Sequence, residues 1–254
     1  MRSRERLKLA ASLWLAGMAG VVAMAATVLP QLLGMSPASP PLPVAVALSM
    51  LQSAALVALA VWVGVVLAQP VGLHAPVAES AVAGTGMWHA FKPQILPATA
   101  VGLVVGCLLP VWMSHSPERL RALGAEVEIP LLAKLLYGGI TEEIIMRWGL
   151  MTALVWLLWR VLQKRVGPPG TSLVVAAIVV TAILFGIGHL PFAVAMGVEP
   201  SGSVVMFIMA SNAVPGILFG WLYWRWGLEA AMLAHALSHA TAALAATRSS
   251  GSRS

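Results

Sequence analysis

The chain has 254 residues, of which 59% are apolar and 9% charged, with a formal net charge of +6 and a mean hydropathy of +0.89. Soluble domains carry roughly 45–50% apolar and about 25% charged residues, so this composition cannot clothe a water-facing exterior, and it points to lipid as the solvent. All nine acids are glutamates, which excludes an aspartic dyad and a Ser-His-Asp triad, and the single Cys107 excludes a disulfide framework or a cysteine-rich metal site.

A helix that crosses a bilayer needs about 20 mainly apolar residues. That ruler marks seven stretches in chain order: 8–33, 44–68, 96–113, 129–163, 172–195, 204–224 and 228–247. They predict an all-α, polytopic membrane bundle of about seven or eight transmembrane helices. The first stretch follows Arg2, Arg4, Arg6 and Lys8 and passes Ala23-Met24-Ala25, a triplet like a signal-peptidase site. Its apolar body runs on to Leu33, longer than a signal sequence needs, so it is read as an uncleaved span. The fourth stretch is too long for one crossing and contains Gly138-Gly139, which predicts a break into a short interfacial helix plus a span.

The connections are short. The Pro-rich segment 36–43, the segment 69–93 and Gly-Pro-Pro-Gly at 167–170 are the clear breaks, and none holds a soluble domain or a repeat. Residues 1–128 therefore read as N-terminal transmembrane helices without an assigned role, 129–247 as the core that carries the chemistry, and 248–254 as a polar tail. With the N-terminal cations placed in the cytoplasm, seven passes put Lys92, Arg160, Lys164, Arg165 and Arg225 on the same side. The expected location is an inner, or plasma, membrane of a bacterium, with the N-terminus cytoplasmic. Cations scattered over short connections form no nucleic-acid stripe, so lipid headgroups are the expected partners and nucleic acid is not. Gly102-x-x-x-Gly106 and Gly216-x-x-x-Gly220 allow close helix approach, either within one chain or across a homodimer seam.

An ionised side chain in mid-bilayer costs about 2.5–3.5 kcal/mol on insertion scales, so charges inside apolar stretches mark polar cavities. The fourth stretch carries Glu142, Glu143 and Arg147, the fifth Phe185 and His189, and the seventh His235 and His239. Glu143 and Arg147 share a helix face as an ion pair, which leaves the adjacent Glu142 to project elsewhere. His235 and His239 share a face of another helix. If these helices converge, a water activated on Glu142 with help from His189 meets an amide whose oxyanion is stabilised by His235 and His239.

Taken singly, each group has a plainer reading: a structural ion pair, a histidine bonded to a backbone carbonyl, or a polar clasp between helices. Three helices each placing ionisable groups in lipid is a costly way to obtain contacts worth only about 0.6 kcal/mol each. Glutamates and histidines are adequate zinc or iron ligands, yet no HExxH helix occurs, so no metal or other cofactor is expected. His74, His89 and His115 lie in polar connections and read as solvated. Lys134 is expected to snorkel or pair with Glu128, and Glu229 to sit at the positive end of its helix dipole.

Glu-Glu-x-x-x-Arg (Glu142, Glu143, Arg147), Phe-x-x-x-His (Phe185, His189) and the glycine-rich segment 216–239 ending His235-x-x-x-His239 resemble the CPBP intramembrane proteases, over about 110 residues. That group includes the type II CAAX prenyl endopeptidases and the Abi-type immunity proteins. The resemblance implies a metal-independent glutamic endopeptidase acting on a membrane protein or peptide. In it Glu142 activates water, His189 assists, Glu143, Arg147 and Phe185 support, and His235 belongs to the oxyanion pair. The family commonly has Asn where this chain has His239, whose hydrogen-bond donation depends on tautomer. The alternative is a non-catalytic immunity or scaffold protein that keeps the polar cluster for packing, and a proton pathway through the cluster is a third reading.

Overall fold

A computed structural model describes residues 2–34 and 41–251, apart from the side chains of Ala125 and of residues 247–251. In chain order its helices are α1 (Ser3–Gly34), α2 (Leu42–Leu67), α3 (Pro76–Ala83), α4 (Met87–Ser114), α5 (Glu118–Glu126), α6 (Leu131–Val161), α7 (Thr171–Ala195), α8 (Gly202–Trp226) and α9 (Leu228–Gly251). The described residues contain no strand. The all-α, polytopic bundle expected from composition is what forms. Most of the Pro-rich break at 36–43 lies outside the described residues, and the polar tail continues α9 to Gly251 before leaving them.

Six helices, α1, α2, α4, α6, α7 and α8, are long and apolar enough to cross a membrane. The seventh stretch also folds as one helix, α9, but Glu229, His235 and His239 dilute its apolar character. The expected break at Gly138-Gly139 does not occur. Instead α6 runs unbroken and widens into π-helical geometry over Lys134–Glu142 and Ile144–Met151. Both glycines serve close approach: a Cβ on Gly139 would meet the Ala236 side chain at 2.8 Å.

Helix starts follow local chemistry. Proline occupies the first turns of α2 and α3, where a missing N–H costs nothing. The Ser201 hydroxyl accepts from the Val204 amide to cap α8. Gly227, at φ 114°, makes the turn from α8 into α9 that a side chain would strain.

The bundle is built around α6, whose first half packs on α1 and α9 and whose second half packs on α2, with α7 and α8 alongside. Lipid supplies no hydrophobic drive between helices, so small residues and side-chain hydrogen bonds hold them together. Thr141 donates to the Gly17 carbonyl (2.6 Å), Trp148 to Val61 (3.2 Å) and Trp14 to Ala54 (3.1 Å), while Thr152 and Tyr223 share a bond of 2.7 Å. Both GxxxG motifs are consumed within the chain. Gly102 and Gly106 face the Ala234 and Ser238 carbonyls of α9, and Gly216 and Gly220 face Ala182 and Ile178 of α7. Glu229 caps α3, accepting from the Ala78 amide at 2.9 Å. Among the described residues no ion pair joins Lys134 to Glu128.

Candidate active site

The widened part of α6 presents Glu142 and Glu143 to two different neighbours. Glu143 is fully buried and its Oε1 accepts from Arg147 Nη1 at 3.0 Å, so the ion pair read from their spacing forms. Arg147 also donates from Nη2 to the Gly216 carbonyl at 2.9 Å, tying α6 to α8. Its guanidinium lies 5.2 Å from the Phe185 ring centroid and 5.7 Å from that of Phe219, a cation–π enclosure that keeps a buried charge from standing alone.

His235 of α9 donates from Nδ1 to the same Glu143 oxygen at 2.8 Å. A carboxylate bonded to arginine can only accept, so this bond assigns the proton to Nδ1 and turns Nε2 toward Glu142, 4.0 Å away. Phe219 stacks on the His235 ring at 4.7 Å between centroids. His189, at the end of α7's first segment, donates from Nδ1 to the Phe185 carbonyl at 2.8 Å, and its Nε2 lies 3.8 Å from Glu142 Oε1. Phe185 meets both rings edge-on, His189 at 4.7 Å and His235 at 6.3 Å.

Glu142 is therefore the point where two imidazole nitrogens converge, both too far for a direct hydrogen bond and both at a separation that one water bridges. It retains 18% side-chain exposure where Glu143 has none. Chemically the cluster separates a locked ion pair, which orients His235, from a freer carboxylate that can accept a proton.

His239 stands apart from Glu142. Its ring stacks on His235 at 5.0 Å and lies against Gly138, where a Cβ would sit 2.8 Å from Nε2. Among the described residues, no group of three or more His, Cys, Asp or Glu side chains is placed to hold one metal ion. All seven residues named from the sequence thus lie in one cluster formed by α6, α7 and α9. Phe219, Gly138 and Gly216 belong to it as well; the sequence marked the two glycines only for a helix break and for close helix approach, and Phe219 not at all. Phe219 and Gly216 lie inside the glycine-rich motif, but nothing local separates Phe219 from its aromatic neighbours.

His74, His89 and His115 lie away from the cluster: His74 pairs with Glu79 at 3.4 Å, His89 is exposed in the first turn of α4 and lines a surface hollow, and His115 bonds the Val111 carbonyl at 2.8 Å.

Residues 126–241, from the end of α5 into α9, match a family model described as Type II CAAX prenyl endopeptidase Rce1-like. The matched segment contains every residue of the cluster, and the family is the one that the three motifs resemble. Neither a curated protein nor a solved structure matches the chain.

Proposed function

We propose that this chain is an intramembrane endopeptidase that hydrolyses a peptide bond of a membrane-associated substrate with a water activated by Glu142, and that residues 129–247 form its catalytic core. The convergence of His189 Nε2 and His235 Nε2 on Glu142, across gaps of 3.8 and 4.0 Å, carries this reading. The match of 126–241 to a membrane endopeptidase family supports the reaction class.

Glu142 and His189 Nε2 are both acceptors when ionised and neutral, so a water between them gives up both hydrogens and turns a lone pair toward the substrate carbonyl. As its oxygen attacks, Glu142 takes one proton, an assistance worth about 10²–10⁴ in rate. The oxyanion then faces His235. With Nδ1 committed to Glu143, His235 offers a donor on Nε2 in its imidazolium form, and the bond to Glu143 aims that nitrogen at the space beside Glu142. One donor to the oxyanion contributes about 2.7–4 kcal/mol. His239, stacked on His235, supplies a second donor through its own N–H. The proton held by Glu142 passes to the leaving amine as the tetrahedral species collapses, so no covalent intermediate forms. In this reading the N-terminus lies in the cytoplasm and the substrate reaches the site through the bilayer.

The test is Glu142→Gln, which keeps shape and removes the base. In cells lacking the native copy, wild type and variant are matched for expression and detergent stability, and the termini of membrane proteins are compared by mass spectrometry. Termini that appear with wild type alone are expected. Rescue of a loss-of-function phenotype by the glutamine variant would overturn the enzyme reading in favour of a scaffold.

A further inference from the structure

Helices α4 and α8 run side by side but touch sparsely, because α4 commits Gly102 and Gly106 to α9. A cleft remains between them on the outer surface of the bundle. Its deeper part, about 500 Å³, is walled by Val104, Leu108 and Trp112 of α4 and by Phe207, Val214 and Leu218 of α8. Toward the start of α4 a second hollow, about 760 Å³, passes Leu96 and Ala100 and ends between His89, Lys92 and Trp226.

The two hollows lie on one line. Among the α4 residues that line them, 89, 92, 96, 100, 104, 108 and 111 recur at intervals of three and four, with 93, 97, 105, 109 and 112 beside them, which is one face of a helix. That face rises roughly 33 Å over 22 residues, room for an extended acyl chain. Beyond the mouth the groove walls are apolar except for Ser211 and, at the far end, His115, and the one lysine that lines it, Lys92, stands at the mouth. Among the described residues no glutamate lines either hollow, and no carboxylate pairs with Lys92. Trp226, braced edge-on by Trp221 at 4.8 Å, sits at that mouth, where indoles favour the headgroup boundary.

We infer that the α4–α8 cleft binds an anionic glycerophospholipid. Its phosphate lies on Lys92 beside His89 and Trp226, and one acyl chain follows Leu96 and Ala100 into the groove between Val104 and Leu218. A zwitterionic lipid fills the same groove but brings its own cation to the mouth, so the charge of Lys92 selects for a net anion. The site lies on the far side of α9 from Glu142 and stands independently of the proposed reaction.

The experiment reconstitutes the full chain in nanodiscs of equimolar phosphatidylglycerol and phosphatidylcholine, releases it into mild detergent and counts retained lipids by native mass spectrometry. Wild type should retain phosphatidylglycerol about fivefold over phosphatidylcholine, the preference expected of one cation at an anionic surface. Lys92→Gln should bring the ratio to parity, and Lys164→Gln, at the same end of the bundle but outside the cleft, should leave it unchanged. Leu108→Trp, checked for an unaltered melting temperature, should lose both lipids by filling the groove. Equal retention of the two lipids by wild type, or equal loss from Lys92→Gln and Lys164→Gln, overturns the inference.

Discussion

Arg147 shows how much a single side chain in lipid must do to be tolerated. It bonds Glu143 and the Gly216 carbonyl at once and is covered by Phe185 and Phe219. A lysine carries the charge but cannot span both acceptors with a planar fork. Arg147→Lys should therefore lower stability in detergent by about 1–3 kcal/mol, the cost of leaving a buried acceptor unmet, read as a drop in melting temperature; an unchanged melting temperature would show that the second contact contributes nothing. Gly138 is the complementary case, a residue whose missing side chain is its role. An added Cβ would meet His239 Nε2 at 2.8 Å and His235 Nε2 at 3.3 Å. Gly138→Ala should cut turnover by up to about 100-fold through misplaced imidazoles, with kcat falling far more than KM rises.

At the scale of elements, the widened α6 explains why the glycine pair misled. Glycine pairs commonly end helices, but between apolar neighbours in lipid an open backbone is costlier than a wide helical turn that keeps its hydrogen bonds. The two glycines went instead to close contact with α9, which brings His235 to Glu143.

Outside the spans, the link from α2 to α4 holds a pH-sensitive pair. The hydrogen bond to Glu79 raises His74 above its ordinary 6.5, against the opposing effect of burial. Burial pushes Glu79 upward, but bonds from His74 and the Ala75 amide outweigh it and leave the carboxyl below 4.5. The His74 contribution is complete below 6.5 and is lost as pH rises through its raised value; that of Glu79 is complete above 4.5 and is lost as pH falls through its lowered value. Hydrogen exchange at the α3 amides, corrected for the intrinsic pH dependence, should be slowest between those limits and faster on either side. A flat profile would mean that the pair does not hold α3.

For the whole molecule, the chain crosses from end to end in alternation, which gathers Lys92, Arg160, Lys164, Arg165 and Arg225 at the end where α1 begins. Cys107 lies exposed on the lipid-facing side of α4. It should resist water-soluble maleimides in intact membranes and react with a lipid-soluble one. Cysteines introduced by Lys164→Cys and Glu118→Cys, in a chain carrying Cys107→Ala, should label from opposite faces. Labelling of both from one face would break the alternating topology.

What the sequence determined alone was the solvent and the members of the polar cluster. Apolar density over about 20 residues forces a transmembrane helix, and ionisable groups are so costly in lipid that Glu142, Glu143, Arg147, His189, His235 and His239 stood out against their background. Spacing within a helix also sufficed for the Glu143–Arg147 pair, because that geometry is local. Only the tertiary structure decided what those groups do to one another. It gave His235 to Glu143 rather than to Glu142, stacked His239 on His235, brought Phe219 against the imidazole and left a lipid-facing cleft between α4 and α8. These outcomes depend on how glycines let helices approach, and contacts between residues some ninety positions apart, such as His235 with Glu143, leave no period or spacing in the chain from which to read them.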